Sequence, residues 1–513
     1  MRSKNDKQIF CHGNFVLGGV LTFILLTARR KSRLHSAMQD LTGKRQKIGL
    51  LLAIVMVIAV CILPMGLSPH YNGTFSNWRN LYEVMTESIL EGHLYIDYGD
   101  MDPELLKMDN PYDPVMRKEL GVNFHWDHAL YHGRYYMYYG IVPVFLVFLP
   151  YRILTGTSLT TYHATQIFAA LFIIGVFTLF YFLAETFFNR ITWGMYLFLS
   201  TAVVIMSVWY SVAAPALYCT AITSGLCLEI WSIFFFAKAV WGGMEDRKVI
   251  PCAFVGSILG ALAFGCRPSV ALANILVIPM LAEYLRQKKI TPVLIRRLAF
   301  AASPYVVVAV LLMVYNYVRF DNPFEFGQTW QLTSADQSSY GDIGSRLDLI
   351  KIVNGILQNF IAFAPFNEEF PYLSFNGVWV NFPILLLPFV LLTREEVRKK
   401  LREMHLHHFV AVLWFAPVLI TIITVVESPW LLERYHMDLY WLMGILCYIV
   451  TGVSYGNTPE RARIRFSRRI VLWSSATVFT CCLLYLVPWD ANLTAYDPEI
   501  LDEICKVLML GLQ

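Results

Sequence analysis

Apolar runs of roughly 16–25 residues recur along almost the whole chain, each near the ~20 that carry an α-helix across a ~30 Å hydrocarbon layer. The first is Ile48–Leu67. Others follow at about 163–184, 192–210, 213–237, 250–266, 269–285, 298–317, 378–393, 408–427, 438–454 and 470–488. Inside hydrocarbon every backbone amide must be satisfied within its own segment, so these runs are expected to be helices. Composition agrees. Of 513 residues, 57% are hydrophobic and only 15% charged, against about 25% charged in soluble domains. A soluble enzyme, a disordered chain and a disulfide scaffold are excluded. The expected fold class is an all-α polytopic membrane protein, a helical bundle with about 11–12 transmembrane helices. A weaker run at about 9–27, basic on both flanks, reads as an extra span, an interfacial helix or an upstream start.

Charge placement orients the bundle. Arg29, Arg30, Lys31, Arg33, Lys44, Arg45 and Lys47 precede the first strong span. Arg286, Lys288, Lys289, Arg296 and Arg297 precede the 298 span. Arg394, Arg398, Lys399, Lys400 and Arg402 follow the 378 span, and Arg461, Arg463, Arg465, Arg468 and Arg469 precede the last. The positive-inside rule puts all four loops in the cytoplasm. Met137–Leu154 is apolar enough to be another span. Were it to cross, the 286–297 loop would fall outside, against its cations. It is therefore expected to stay on the outer side, and its interfacial tyrosines with Pro143 and Pro150 fit that placement. Three parts result: residues 1–47, a transmembrane domain over 48–488 with outer loops at 68–161 and 319–377, and an outer tail over 489–513. The predicted location is the inner (plasma) membrane, with function on the extracytoplasmic face. The ten cysteines lie mostly inside apolar runs and read as small packing residues.

The first outer loop is the richest in chemistry. Asn77–Gly92 has the periodicity of an amphipathic helix. Beyond it lie Asp109-Asn110-Pro111-Tyr112-Asp113-Pro114, His125-Trp126-Asp127-His128 and Tyr131-His132-Gly133-Arg134-Tyr135-Tyr136. Aromatic faces beside carboxylates and amides suit a sugar, and a carboxylate on such a platform can deprotonate a hydroxyl. His125, Asp127 and His128 are also of the type that holds a divalent metal ion, an optional cofactor whose ligands the spacing leaves unassigned. The bland reading of any one acid is solvated surface or ordinary turn chemistry. Arginines mark the outer ends of spans: Arg267 before Pro268, Arg434 before Tyr435, and Arg319 after the 298 span. A guanidinium there is expected either to bind a lipid phosphate in bidentate fashion or to pair internally, as Arg434 would with Glu433 or Asp438. Glu229, well inside the 213–237 run, is a functional candidate or a hydrogen-bonded structural carboxyl. Asn492-Leu-Thr494 matches a glycosylation sequon.

The order of these parts resembles the GT-C superfamily of membrane glycosyltransferases, in particular protein O-mannosyltransferase-like and lipid A aminoarabinose transferase-like enzymes. The resemblance spans roughly 48–455. It rests on Tyr82…Glu87-Ser88-Ile89-Leu90-Glu91-Gly92-His93, on Gly140-Ile141-Val142-Pro143…Leu154-Thr155-Gly156, on Arg267-Pro268 and on Arg434-Tyr435. Tyr315-Asn316-Tyr317-Val318-Arg319-Phe320…Phe324-Glu325-Phe326-Gly327 is similar to uncharacterised bacterial relatives. What the resemblance implies is transfer of a sugar from a polyprenyl-phosphate-linked donor to a saccharide, lipid or protein acceptor, with no nucleic acid involved. It implies an early outer carboxylate as base or metal ligand, and outer Arg residues on the lipid phosphate. Where relatives carry an acidic pair before the loop helix, this chain has Asn77-Trp78-Arg79. The base is therefore expected among Asp127, Asp97, Glu83 and Asp113, and the phosphate-binding set among Arg267, Arg434, Arg319 and Tyr435. The alternatives are a transporter or flippase for a lipid-linked sugar, for which inverted repeats would be expected but none is evident, and a non-catalytic partner that kept the fold.

Overall fold

A computed structural model of the chain describes residues 32–487, apart from 39–42, 68–79, 189–190, 216, 287, 342–345, 366, 368–371 and 429. The 9–27 run, Asn77-Trp78-Arg79, the sequon and the C-terminal tail lie outside the described residues.

Helices dominate, and the protein is an all-α polytopic membrane protein. Among the described residues nine helices are long and apolar enough to cross a membrane. In chain order the elements are α1 (Lys44–Ile62), α2 (Leu81–Leu90), α3 (Pro103–Lys107), α4 (Pro114–Leu120), the hairpin β1 (Ala129–Tyr131) and β2 (Arg134–Tyr136), α5 (Leu149–Thr155), α6 (Thr161–Phe187), α7 (Trp193–Ala213), α8 (Leu217–Trp241) and α9 (Asp246–Phe264). There follow α10 (Pro268–Ala271), α11 (Val277–Arg286), α12 (Pro292–Phe320), α13 (Leu349–Ile361), α14 (Val378–Asn381), α15 (Leu387–Leu392), α16 (Glu395–Glu403), α17 (His407–Glu427), α18 (Met437–Gly456) and α19 (Glu460–Tyr485). A 3₁₀ turn, Leu272–Leu276, joins α10 to α11, and another, Glu433–His436, leads into α18.

Two expected spans differ. The 378–393 run is not one helix: α14, a 3₁₀ turn at Pro383–Leu386 and α15 follow one another. Pro383 and Pro388 each start a new piece because proline lacks the amide that the preceding turn would bond. The 470–488 run is the apolar end of α19, whose first turns carry Arg461, Arg463 and Arg465. Met137–Leu154 folds as a π turn, Val144–Phe148, continued by α5. These are five and seven residues, so at 1.5 Å per residue they reach about 18 Å, well short of a bilayer.

The core is built around α18, which is buried throughout from Met437 to Tyr455. Small residues let neighbouring helices close on it: Gly444 lies against Val203, and Gly452 against Phe188. In contrast α12 shows Val306, Val310, Leu311, Val314 and Val318 on its outside, as a lipid-facing helix should. The bundle has two distinct ends. At one, Asn457 beyond α18 donates to the Glu396 carbonyl, Phe187 meets Trp241, and Trp241 meets Phe409. The basic residues of α16 and of the start of α19 lie there. At the other, the loop before α6, the α9–α10 turn, the end of α12 and the start of α18 converge.

Candidate functional site

A cavity of about 500 Å³ opens at this second end. Its wall takes Trp126, Asp127, Tyr138 and Tyr139 from the segment between α4 and α5, Tyr218 from α8, Arg267 and Ser269 from the α9–α10 turn, and Tyr315 and Arg319 from α12. Gln331, Gln337, Glu427, Arg434 and Tyr435 complete it. Glycine makes one part of this wall possible. A Cβ on Gly140 would stand 2.3 Å from the Gly265 and Cys266 carbonyl oxygens. Without it, the backbone of 140–142 lies directly on the α9–α10 turn, and Val142 donates to the Gly265 carbonyl at 3.0 Å.

Asp127 is the only one of the four expected carboxylates that reaches the cavity. It sits in a left-handed turn before β1, with φ 57°, a conformation that Asp and Asn tolerate better than other non-glycine residues. The residue is buried, and its carboxylate accepts from the Tyr218 hydroxyl and from Gln331 Nε2, the latter at 2.8 Å. Burial pushes the carboxyl above its ordinary value, opposed by the Tyr218 hydroxyl, Arg434 and the Gln331 amide. The other three acids serve local structure. Glu83 accepts from the Thr161 amide at 2.7 Å and its hydroxyl at 3.2 Å, capping α6, and burial raises its carboxyl. Asp97 turns back on the Gly99 amide at 2.9 Å. Asp113 is the N-cap of α4, bonded to the Val115 and Met116 amides at 2.8 and 3.3 Å.

The arginines are not equivalent. Arg434 stacks 4.0 Å over the Tyr218 ring and lies 5.3 Å from that of Tyr435. Among the described residues no carboxylate pairs with it. Arg267 also faces Tyr435, at 5.0 Å, but it is neutralised: Nη2 lies 2.9 Å from Asp438 Oδ2 and Nε 3.0 Å from Oδ1. Ser269 donates to the same carboxylate at 2.9 Å. Internal pairing thus falls on Arg267, not on Arg434. Arg319 is buried and spends its guanidinium on the Met137 carbonyl at 2.5 Å and Asn316 Oδ1 at 2.8 Å, stacked 3.7 Å over Tyr315. It ties α12 to the segment that follows β2.

The donor set does not suit a metal ion. Among the described residues no three His, Cys, Asp or Glu side chains converge. His125 bonds to Asp100 at 2.9 Å, and His128 spends both ring nitrogens on Tyr98 and the Trp126 carbonyl, each at 2.9 Å. Neither imidazole joins Asp127. Glu229 does not itself line the cavity. It accepts from Asn274 Nδ2 at 2.5 Å in a polar knot with Tyr305, packed on Gly260.

Several wall residues carried no readable signal. Tyr218 lies within an apolar run, and Gln331 and Gln337 lie between α12 and α13, 204 or more positions from Asp127. A cluster of glutamines between aromatic residues was the only hint.

No family model matches the chain, and no curated protein matches it. Among solved structures it is similar to the apo crystal structure of the Archaeoglobus fulgidus oligosaccharyltransferase, at 11% identity and a TM-score of 0.38. The match covers 83% of this chain and 56% of that one, so the chain spans little more than half the length of that protein.

Proposed function

We propose that the chain is a GT-C-type membrane glycosyltransferase that moves a sugar from a polyprenyl-phosphate-linked donor to an acceptor hydroxyl on the extracytoplasmic side. One observation carries the reading: a buried carboxylate, Asp127, and a guanidinium with no carboxylate partner among the described residues, Arg434, meet on Tyr218 in one cavity. The tyrosine donates its hydroxyl to the first and offers its ring to the second. A base and a phosphate-binding cation are the two groups that a one-step displacement needs. The acceptor oxygen attacks the anomeric carbon, and its proton passes to Asp127. The bond from that carbon to the phosphate oxygen breaks, and its electron pair stays on the phosphate, where Arg434 stabilises the charge. Tyr138, Tyr139 and Trp126 supply rings for the sugar. Arg267, held by Asp438, supports Tyr435 and the adjoining wall. The polyprenyl chain runs past Phe264, Leu312 and Ile423 toward the lipid.

The test is purified protein in liposomes with a polyprenyl-phosphate-linked hexose. Adding acceptor should release polyprenyl phosphate. Asn tolerates the left-handed turn at 127 as Asp does, so Asp127→Asn isolates the loss of the base. It should lower turnover about 10²–10⁴-fold. Arg434→Ala should cost about 10²–10³-fold. Full turnover in both variants would overturn the reading. Movement of intact lipid without release would make the protein a carrier, and neither activity would leave a non-catalytic partner.

A further inference from the structure

The turn that presents Asp127 is held from outside its own segment. Asp127 N donates to the Leu332 carbonyl at 2.9 Å, Leu332 N to the His128 carbonyl at 2.8 Å, and Leu130 N to the Trp330 carbonyl at 2.9 Å. Ala129 and Gln331 form an antiparallel bridge. Residues 330–332 of the second outer loop thus lie along β1 as a further edge. Side chains alternate on such an edge, so Gln331 points away from the side taken by Trp330 and Leu332, and it reaches the carboxylate. Its Nε2 is 2.8 Å from Asp127 Oδ1, while its Oε1 accepts from Gln337 Nε2 at 2.7 Å. The second bond fixes the amide's orientation: were Gln331 to flip, donor would face donor and acceptor would face carboxylate. All three side chains are buried. The Tyr218 hydroxyl takes the other oxygen, Oδ2.

We propose that Gln331 is a positioning residue for the transfer reaction, clamping Oδ1 of Asp127 so that Oδ2 faces the acceptor hydroxyl, with Gln337 locking the Gln331 amide in the required orientation. The proposal rests on the reading of Asp127 as the base. It makes the second outer loop part of the reaction centre. During transfer Oδ2 gains the acceptor's proton, and Gln331 keeps its bond to Oδ1 before and after.

The experiment is the pH dependence of kcat, with donor KM measured alongside, for Gln331→Ala, Gln331→Glu and Gln337→Ala in liposomes. The donated bond favours the ionised carboxylate, so removing it raises the pH at which the base ionises. Gln331→Ala should lower kcat about tenfold, leave donor KM within about twofold, and move the acidic limb to higher pH. Gln331→Glu keeps the size of the side chain but sets a like charge beside Asp127, and should move the limb further. Gln337→Ala should act in the same direction, more weakly. An acidic limb unmoved in both Gln331 variants would overturn the proposal, as would a change confined to donor KM. If Gln331→Ala does not fold, Gln331→Glu and Gln337→Ala still decide it. Retained activity in Asp127→Asn would instead strike the base itself, and is scored separately.

Discussion

Asp127 and His128 are neighbours in sequence, yet burial drives their protons in opposite directions. Desolvation penalises whichever form is charged. The Asp127 carboxyl is therefore raised, and the His128 imidazole is lowered from 6.5 to about 4. For activity, a raised base means that turnover should climb with pH through a limb above the ordinary aspartate value of 3.8. A pH–rate profile whose limb falls at or below that value would contradict it. For stability the His128 sign runs the other way. Between about 6.5 and about 4 the unfolded chain binds a proton that the folded one does not, so stability falls as pH is lowered through that window. The shift corresponds to something on the order of 3 kcal/mol. His128→Gln should flatten the loss, read as the thermal unfolding midpoint against pH. The motif His125-Trp126-Asp127-His128 was visible in the sequence as a concentration of polar chemistry. That its imidazoles turn to Tyr98 and Asp100 while its carboxylate turns to Tyr218 was not, because those partners come from two stretches of chain on either side of the motif, one 25 to 30 positions before it and one 91 after it.

At the scale of elements, two contacts hold the cavity wall in place. Asp438 at the start of α18 is almost wholly buried and pairs with Arg267 from the α9–α10 turn. Removing one partner of such a pair strands the other charge, at a cost of about 3–5 kcal/mol, whereas replacing both with apolar groups is often neutral. Arg267→Met alone should thus lower the unfolding midpoint sharply. Arg267→Met combined with Asp438→Leu should restore it, and a double variant as unstable as the single would show that the pair is not the structural link. The same double variant separates support from phosphate binding, since only loss of the latter would leave activity low in a restored fold. The second contact is the close approach at Gly140. Gly140→Val drives a side chain into the backbone of residues 265 and 266. It should displace Tyr138 and Tyr139 from the wall and cost at least 1–3 kcal/mol, seen as a lower midpoint together with lost turnover. The sequence announced both places, as a glycine at the end of a run of tyrosines and as an Arg-Pro break between spans. It did not announce their partners.

For the molecule as a whole, the arrangement separates charge by end. The cations of α16 and the start of α19 gather at one end, and Asp127, Tyr218 and Arg434 at the other. The positive-inside rule predicts that the cavity faces away from the cytoplasm. Cysteine labelling checks this. Among the described residues Cys482 is the exposed free cysteine, so Cys482→Ser provides the background. On it, with Cys11 and Cys505 also replaced by serine, Glu119→Cys should react with a membrane-impermeant maleimide on intact cells, and Lys399→Cys only after permeabilisation. The reverse pattern would invert the topology.

The chain's own residues determined the fold class, most of the spans and the end at which chemistry would be sought. Hydrophobic length and charge asymmetry act locally, so they can be read one segment at a time. Even the expectation that Met137–Leu154 does not cross comes from its prolines and from counting basic loops. What only the tertiary structure decided is which polar groups share a cavity, and in what state. Asp127 led four candidate carboxylates in the sequence; in the structure the other three cap helices or turns and it alone of the four enters the wall. Arg267, Arg434 and Arg319 were all candidates for the phosphate, yet Arg267 is neutralised and Arg319 is spent on carbonyls, which leaves Arg434. The reason is physical: whether a charge is free or satisfied depends on neighbours within a few ångströms, and for Asp127, Arg267 and Arg319 decisive neighbours lie 91 to 204 positions away in the chain.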